Sequence, residues 1–343
     1  MNNPKNILIA RTDRIGDVVL SLPMASAIKK KYPGCRISFL VRGYTAPLLS
    51  GNAYIDETIV LIEENGKPDL QKNISLLKNK FDVVIAAYPT FKLALIFFLA
   101  GIKKRIGTGY RWYSFLFNGK VYDHRKRGGH HELEFNVRLL SQLGINNDVN
   151  ETNAEFGLSV PSRNKEIIKN ELTSHGIDPS KRIIIVHPGS GGSAVDLPVS
   201  TLKNVMQILS KENVEILITG SIDEMELCSS LIVNEKTKNL AGRYDLSGLT
   251  ALIDRCDLMI ANSTGPIHIA AALGKFVIGF YPKFTAASPE RWGPYTEKKK
   301  IFTPELDCSN CSRKQCEELN CMASIKAEKI AEAALSFLKL NVN

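Results

Sequence analysis

Short apolar runs rich in β-branched residues recur along the chain, separated by longer segments in which apolar positions return every three or four residues. In the first half the runs are Ile7 to Ala10, Ile37 to Val41, Thr58 to Ile62 and Val83 to Ala87. In the second they are Ile183 to Val186, Glu215 to Thr219, Leu258 to Ala261 and Phe276 to Phe280. Runs of this length bounded by turn residues predict strands, and helical spacing between them predicts the crossovers of a parallel sheet. The segment Asp17 to Tyr32 places Val18, Leu22, Ala25 and Ile28 on one helical stripe, with Lys29, Lys30 and Lys31 at the end where the helix dipole favours positive charge. After Gly144 the polar stretch INNDVNETNAEFGLSVPSRN marks a connection. The pattern predicts an α/β protein of two doubly wound domains, residues 1–160 and 161–343.

Length agrees, since 343 residues exceed what one α/β domain usually needs. Apolar residues at 44% and charged residues at 23% are ordinary for a globular chain and exclude a disordered or fibrous one. The longest apolar stretch, Leu93 to Ile102, is about half of the roughly 20 residues that a spanning helix requires, so it reads as a buried helix. The start, MNNPKNILIARTDRIGD, has too short an apolar run for a secretory leader. A cytoplasmic location is therefore expected, and a periplasmic two-domain solute-binding protein is disfavoured.

Charge divides the chain. Residues 1–160 hold 22 Lys and Arg against 14 Asp and Glu, whereas residues 161–343 hold 22 against 21, so the net charge of +9 lies almost wholly in the first half. A basic half implies an anionic partner such as phosphorylated glycan or a membrane surface, with a plain solvated surface as the alternative. Nucleic acid is not expected, because no recognised binding module or interleaved aromatic platform is evident.

In open α/β sheets ligands bind beyond the carboxyl ends of the strands, which selects three segments: Arg11 to Asp17, His187 to Gly192 and Asn262 to His268. In RTDRIGD, Gly16 permits a tight turn and Asp17 lands at a helix start, where it is either a general base or a capping residue. In HPGSGG the small residues Gly189, Ser190 and Gly191 expose amides that can approach phosphate, or form a plain loop. No P-loop lysine and no GxGxxG fingerprint is present, so a dinucleotide dehydrogenase is not indicated. In NSTGPIHIAAALG, Ser263, Thr264 and Gly265 precede a helix whose first turn holds Pro266 and His268, a second phosphate-binding candidate.

Cys308, Cys311, Cys316 and Cys321 fall within fourteen residues in a C-x2-C-x4-C-x4-C array. In a reducing compartment such clustering favours a closed, structural thiolate site for zinc or iron, with disulfides or unmodified thiols as alternatives.

ILIARTDRIGDVVLSLP, HPGSGG, LITG, NLAGRYDLSGLTALIDRCDLMIANSTGPIHIAAALGKFVIGFYP and SPERWGPY, in that order, resemble glycosyltransferase family 9, the lipopolysaccharide heptosyltransferases. The resemblance implies a GT-B architecture, two Rossmann-like domains facing across a cleft. The N-terminal domain would bind acceptor and the C-terminal one the nucleotide sugar, with a last helix returning to the first domain. It implies an inverting, metal-independent transfer of a sugar, heptose from ADP-heptose foremost, onto lipopolysaccharide core or a related surface glycan at the inner face of the cytoplasmic membrane. Asp17 would be the general base, and no cofactor is required for catalysis. The diphosphate would meet Gly189, Ser190, Gly191, Ser263, Thr264, Gly265 and His268. An anionic glycolipid acceptor would meet Arg42, Arg111 and the loop HRKRGGHHE with Arg125 and Arg127.

Three positions, in two segments, depart from the family pattern. Val195 and Leu197 stand where family members carry Lys and Trp, and Ser263 stands where a carboxylate is usual. These departures leave open a donor-altered or non-catalytic homologue that binds nucleotide or glycan, and they direct attention to Lys203, Arg243 and Lys283 as substitute cations.

Overall fold

The computed structural model describes residues 3–125, 128–146, 148–178, 180–306 and 312–339. The chain divides into two compact units, residues 1–125 with 132–159, and residues 126–131 with 160–343.

The first unit contains β1 (Asn6–Ala10), β2 (Arg36–Val41), β3 (Glu57–Val60), a small antiparallel ribbon of β4 (Glu63–Glu64) and β5 (Lys67–Pro68), then β6 (Val83–Ala86), β7 (Lys104–Thr108) and β8 (Gly119–Val121). Six of these form a parallel sheet in the order β3-β2-β1-β6-β7-β8. The second unit contains β9 (Arg182–His187), β10 (Val214–Ile218), β11 (Thr237–Asn239), β12 (Leu258–Asn262), β13 (Phe276–Phe280) and β14 (Lys299–Phe302) in the equivalent parallel order β11-β10-β9-β12-β13-β14. Each sheet reverses direction at its centre, between β1 and β6 and between β9 and β12, and such a switch point opens a crevice at the carboxyl edge.

The central strands are buried on both faces, which is why they read as unbroken apolar runs. In the first unit Leu93, Ala94, Ile96 and Phe97 of the helix Phe91–Leu99 pack with Leu8, Leu40 and Val84 of the sheet. In the second, Leu202, Val205 and Met206 of the helix Val199–Leu209 pack with Ile184, Ile216 and Ile260. Ile330, Ala331 and Ala334 of the last helix, Ala327–Lys339, join that same core. The last helix is thus packed in the core of the C-terminal unit.

The segment expected as one helix from Asp17 is two, Ile15–Val19 and Pro23–Lys31. Pro23 lacks the amide to continue the first, and the Ser21 and Leu22 amides instead close tight turns onto Val18 O and Val19 O. The apolar stripe survives the break, since Val18, Leu22, Ala25 and Ile28 are all buried. The helix expected to be buried within Leu93 to Ile102 exposes Phe98 and Leu99.

Candidate active site

Beyond β1 the chain buries a guanidinium. Arg11 is 2% exposed, and its Nε donates to Asp13 Oδ1 at 2.7 Å. One terminal nitrogen reaches Asn136 Oδ1 at 3.0 Å and Glu132 Oε1 at 3.3 Å, and the other donates to Asp17 Oδ1. Glu132 and Asn136, one helical turn apart in Glu132–Arg138, also receive Arg125, with 3.2 Å between Arg125 and Asn136. Asn136 Nδ2 donates to Leu20 O at 3.1 Å, which ties this network to the turn between the first two helices.

The helix Ile15–Val19 is capped at Arg14 and not by a side chain, so Asp17 is its third residue and points its carboxylate at Arg11. The capping alternative is thereby removed. Burial raises the Asp17 carboxyl above the ordinary carboxylate range, Arg11 opposes that rise, and Glu132 adds to it. Burial also lifts Asp13 to about 6, with Arg11 again opposing. The sequence did not disclose Arg11 or Glu132 as partners of Asp17, because Glu132 lies 121 residues from Arg11.

The expected acceptor cations separate. Arg125 belongs to the Asp17 network through Glu132. Arg42 is engaged by Glu63 at 2.8 and 3.1 Å. Arg111 is exposed on the turn after β7 without an ion-pair partner among the described residues. Arg127 lies outside the described residues.

In the second unit the HPGSGG turn leaves β9. Gly191 and Gly192 adopt φ of +55° and +75°, a region that glycine enters without steric cost. Gly189 is required for another reason: a Cβ there would lie 1.7 Å from Glu224 Oε1. Asn262, the last residue of β12, bridges the switch point by accepting from Leu197 N at 2.9 Å and donating to Pro188 O. Thr264 caps the helix Gly265–Ala272 in an extended conformation without a side-chain bond, and the first amides of such a helix have no intrahelical acceptor.

Both histidines here are neutral. Burial lowers His187 to about 4, partly offset by Glu224, and its Nδ1 lies 3.0 Å from Thr219 Oγ1. Burial lowers His268 to about 3, helped by His131, whose Nε2 donates to Gly293 O at 2.8 Å. His268 Nδ1 has no hydrogen-bond partner among the described residues. It can offer a diphosphate a hydrogen bond but not a positive charge.

Val195, standing where the family pattern has lysine, packs against buried Cys316 and Cys321. Cys308 and Cys311 lie outside the described residues, and no group of three or more metal-ligating side chains occurs among those described. A cation does reach the glycine turn: Arg313 donates to Gly192 O at 2.9 Å and Ala194 O at 3.3 Å. Of the substitutes expected from sequence, Lys283 donates to Leu306 O at 2.9 Å and Arg243 contacts His175. Lys203 is half-buried on its helix. Asp196, lifted by burial against its bonds to Ser190, is a second carboxylate that went unnoticed in the sequence.

Each unit is Rossmann-like, one with a buried carboxylate at its switch point and the other with glycine amides and a helix N-terminus, the places where such sheets bind ligands. The model of glycosyltransferase family 9 (heptosyltransferase) matches residues 71–322, and the chain belongs to that family. A putative glycosyltransferase of Haemophilus influenzae is 27% identical over 86% of this chain and 88% of its own. Lipooligosaccharide heptosyltransferase 2 of Campylobacter jejuni is 27% identical over 95% and 96%. Among solved structures, a family 9 glycosyl transferase from Veillonella parvula superposes with a TM-score of 0.83 at 19% identity, covering 98% of each chain. ADP-heptose lipopolysaccharide heptosyltransferase II of Escherichia coli gives 0.78 at 22%, covering 99% of this chain and 100% of its own. Among the described residues no helix is long and apolar enough to cross a membrane.

Proposed function

We propose that this glycosyltransferase moves heptose from ADP-heptose onto lipopolysaccharide core or a related anionic surface glycan, with Asp17 as general base. The observation that carries the assignment is the position of Asp17, a buried carboxylate at the carboxyl end of β1 that Arg11 orients. In a single displacement Asp17 takes the proton of the acceptor hydroxyl as that oxygen bonds to the anomeric carbon. The bond from that carbon to the diphosphate oxygen breaks, and its electron pair leaves on ADP. Burial raises Asp17 and so strengthens it as a base, while the Arg11 guanidinium opposes that rise.

The N-terminal unit carries the acceptor in this reading, with Arg111 and Arg125 meeting its anionic groups. The C-terminal unit carries the donor. Amides at Gly189 to Gly191 and at Gly265 receive the diphosphate, and Arg313 supplies the cation that Val195 does not. The relatives' activities support heptose and ADP as donor components. The enzyme works in the cytoplasm against the inner membrane face, where a lipid-anchored acceptor is presented. We propose in addition that the four cysteines bind a structural zinc or iron. Cys316 and Cys321 are both buried, and about one zinc or iron per chain by elemental analysis is the expected result.

Calorimetric titration with ADP, UDP and GDP, followed by acceptor-dependent nucleotide release from the matching sugar nucleotide, tests this reading. ADP is expected to bind most tightly. A preference for UDP or GDP would replace the donor but keep the transferase. Folded protein that binds no nucleotide would leave a non-catalytic, glycan-binding homologue.

A further inference from the structure

Between Asp82 and Asp123 no acidic residue occurs, while Lys92, Lys103, Lys104, Arg105, Arg111 and Lys120 all fall within that stretch. The same stretch leaves large apolar side chains in solvent. The helix Phe91–Leu99 buries one face but turns Phe98 and Leu99 outward, 49% and 47% exposed. On the turn after β7, Trp112 is 72% and Phe115 66% exposed.

The two segments make one surface. Trp112 stacks on Phe91 at 4.9 Å, both rings meet Tyr113, and the Arg105 guanidinium lies 5.2 Å over Phe98. Tyr113 is itself buried and donates to Pro89 O at 2.7 Å, so the platform is held by the fold. Sequence inspection missed it because Phe91 and Trp112 are far apart along the chain.

A monomer rarely leaves so much contiguous apolar surface in water without a partner for it. Trp and Phe settle at the headgroup level of a bilayer, and each Lys or Arg near an anionic surface adds about 1 kcal/mol of attraction. Leu99 offers nucleic acid neither a stacking face nor a hydrogen bond, and Phe91 and Trp112 already stack on each other, which favours lipid over a nucleotide strand. We infer that this face of the N-terminal unit docks on an anionic lipid bilayer, with Trp112 and Phe115 entering the interface and the exposed Lys92, Lys103 and Arg111 of the same segments meeting headgroups. The inference deepens the proposed action on a lipid-anchored acceptor, and its test needs no turnover.

The full chain is to be co-sedimented with vesicles of phosphatidylglycerol and phosphatidylethanolamine, and separately with phosphatidylcholine alone. Expected is at least tenfold tighter binding to the anionic vesicles, lost in high salt. Trp112→Ala with Phe115→Ala should weaken it about tenfold, and so should Lys92→Glu with Lys103→Glu. Both variants should keep the wild-type melting temperature, ADP affinity and transfer to delipidated core oligosaccharide. Equal binding to neutral vesicles, no binding, or unchanged binding by the aromatic variant would overturn the inference. Loss of transfer to the soluble acceptor would overturn it by placing these residues in the acceptor site. A dimer of the free protein that the aromatic variant abolishes would overturn it in favour of an interface between copies. Failure to bind ADP would refute the transferase reading and leave the vesicle result standing.

Discussion

After β1 the chain reads Arg11 to Asp17, and after β9 it reads His187 to Gly192; both turns leave the same strand position in sheets of the same order. The first turn gathers charge, placing Asp13, Asp17 and Glu132 around one buried guanidinium. The second holds His187 and His268 neutral, lets glycine bring backbone close to Glu224, and receives Arg313 on its carbonyls. One topology thus supplies two switch points with different rims, and in the proposed reaction the first handles a proton and the second an anion.

The comparison breaks first at Arg11. Arg11→Ala strands three carboxylates with only Arg125 nearby, and urea unfolding should show a loss of about 3–5 kcal/mol. No single polar substitution in the second turn should match it. Next comes acid. A histidine pushed below its ordinary 6.5 binds fewer protons folded than unfolded, so its stability is complete above pH 6.5 and is lost as pH falls through its folded value. Melting curves from pH 7 downward should show a loss on the order of 3 kcal/mol per histidine, through about 4 for His187 and about 3 for His268. Asp13, raised to about 6, has the opposite sign: its contribution is present below its ordinary 3.8 and fades as pH rises through 6. The profile between pH 4 and 6 should therefore be shallower than that of the histidines alone, and His187→Gln should flatten it further.

Smaller effects sharpen the donor side. Gly189→Ala forces a methyl group onto Glu224 and should cost about 1–3 kcal/mol, much of it recovered when Glu224→Ala is added; chemical denaturation of the three variants measures this coupling. Arg313→Ala should weaken ADP about tenfold by calorimetry, roughly 1.4 kcal/mol, with Val195→Lys restoring part of the loss.

All eight strands read from the sequence occur: seven are almost wholly buried and advertise themselves as apolar runs, while the edge strand β3, buried only at Ile59, shows through its β-branched residues. The strands missed within the two parallel sheets, β7, β8, β11 and β14, are KRIGT, GKV, TKN and KKIF, whose lysines and arginine mask any apolar period; the two-residue strands β4 and β5 are too short to show one. The break at Pro23 was legible but was outvoted by a stripe that continues across it. At the sites, the glycine turn and the helix start could be read locally. Arg11 with Glu132, Gly189 with Glu224, and Arg313 with Gly192 could not, since each pair meets only after the sheet has formed.

The central claim is that the first turn holds a catalytic base while the second holds the donor. Asp17→Asn keeps the shape of the side chain and its contact with Arg11 but cannot accept a proton. Single-turnover transfer from ADP-heptose to core oligosaccharide, measured beside ADP affinity in the same protein, separates the two roles. The account predicts a fall of about 10²–10⁴-fold in the chemical step with ADP affinity unchanged. Transfer at the wild-type rate in Asp17→Asn would contradict it.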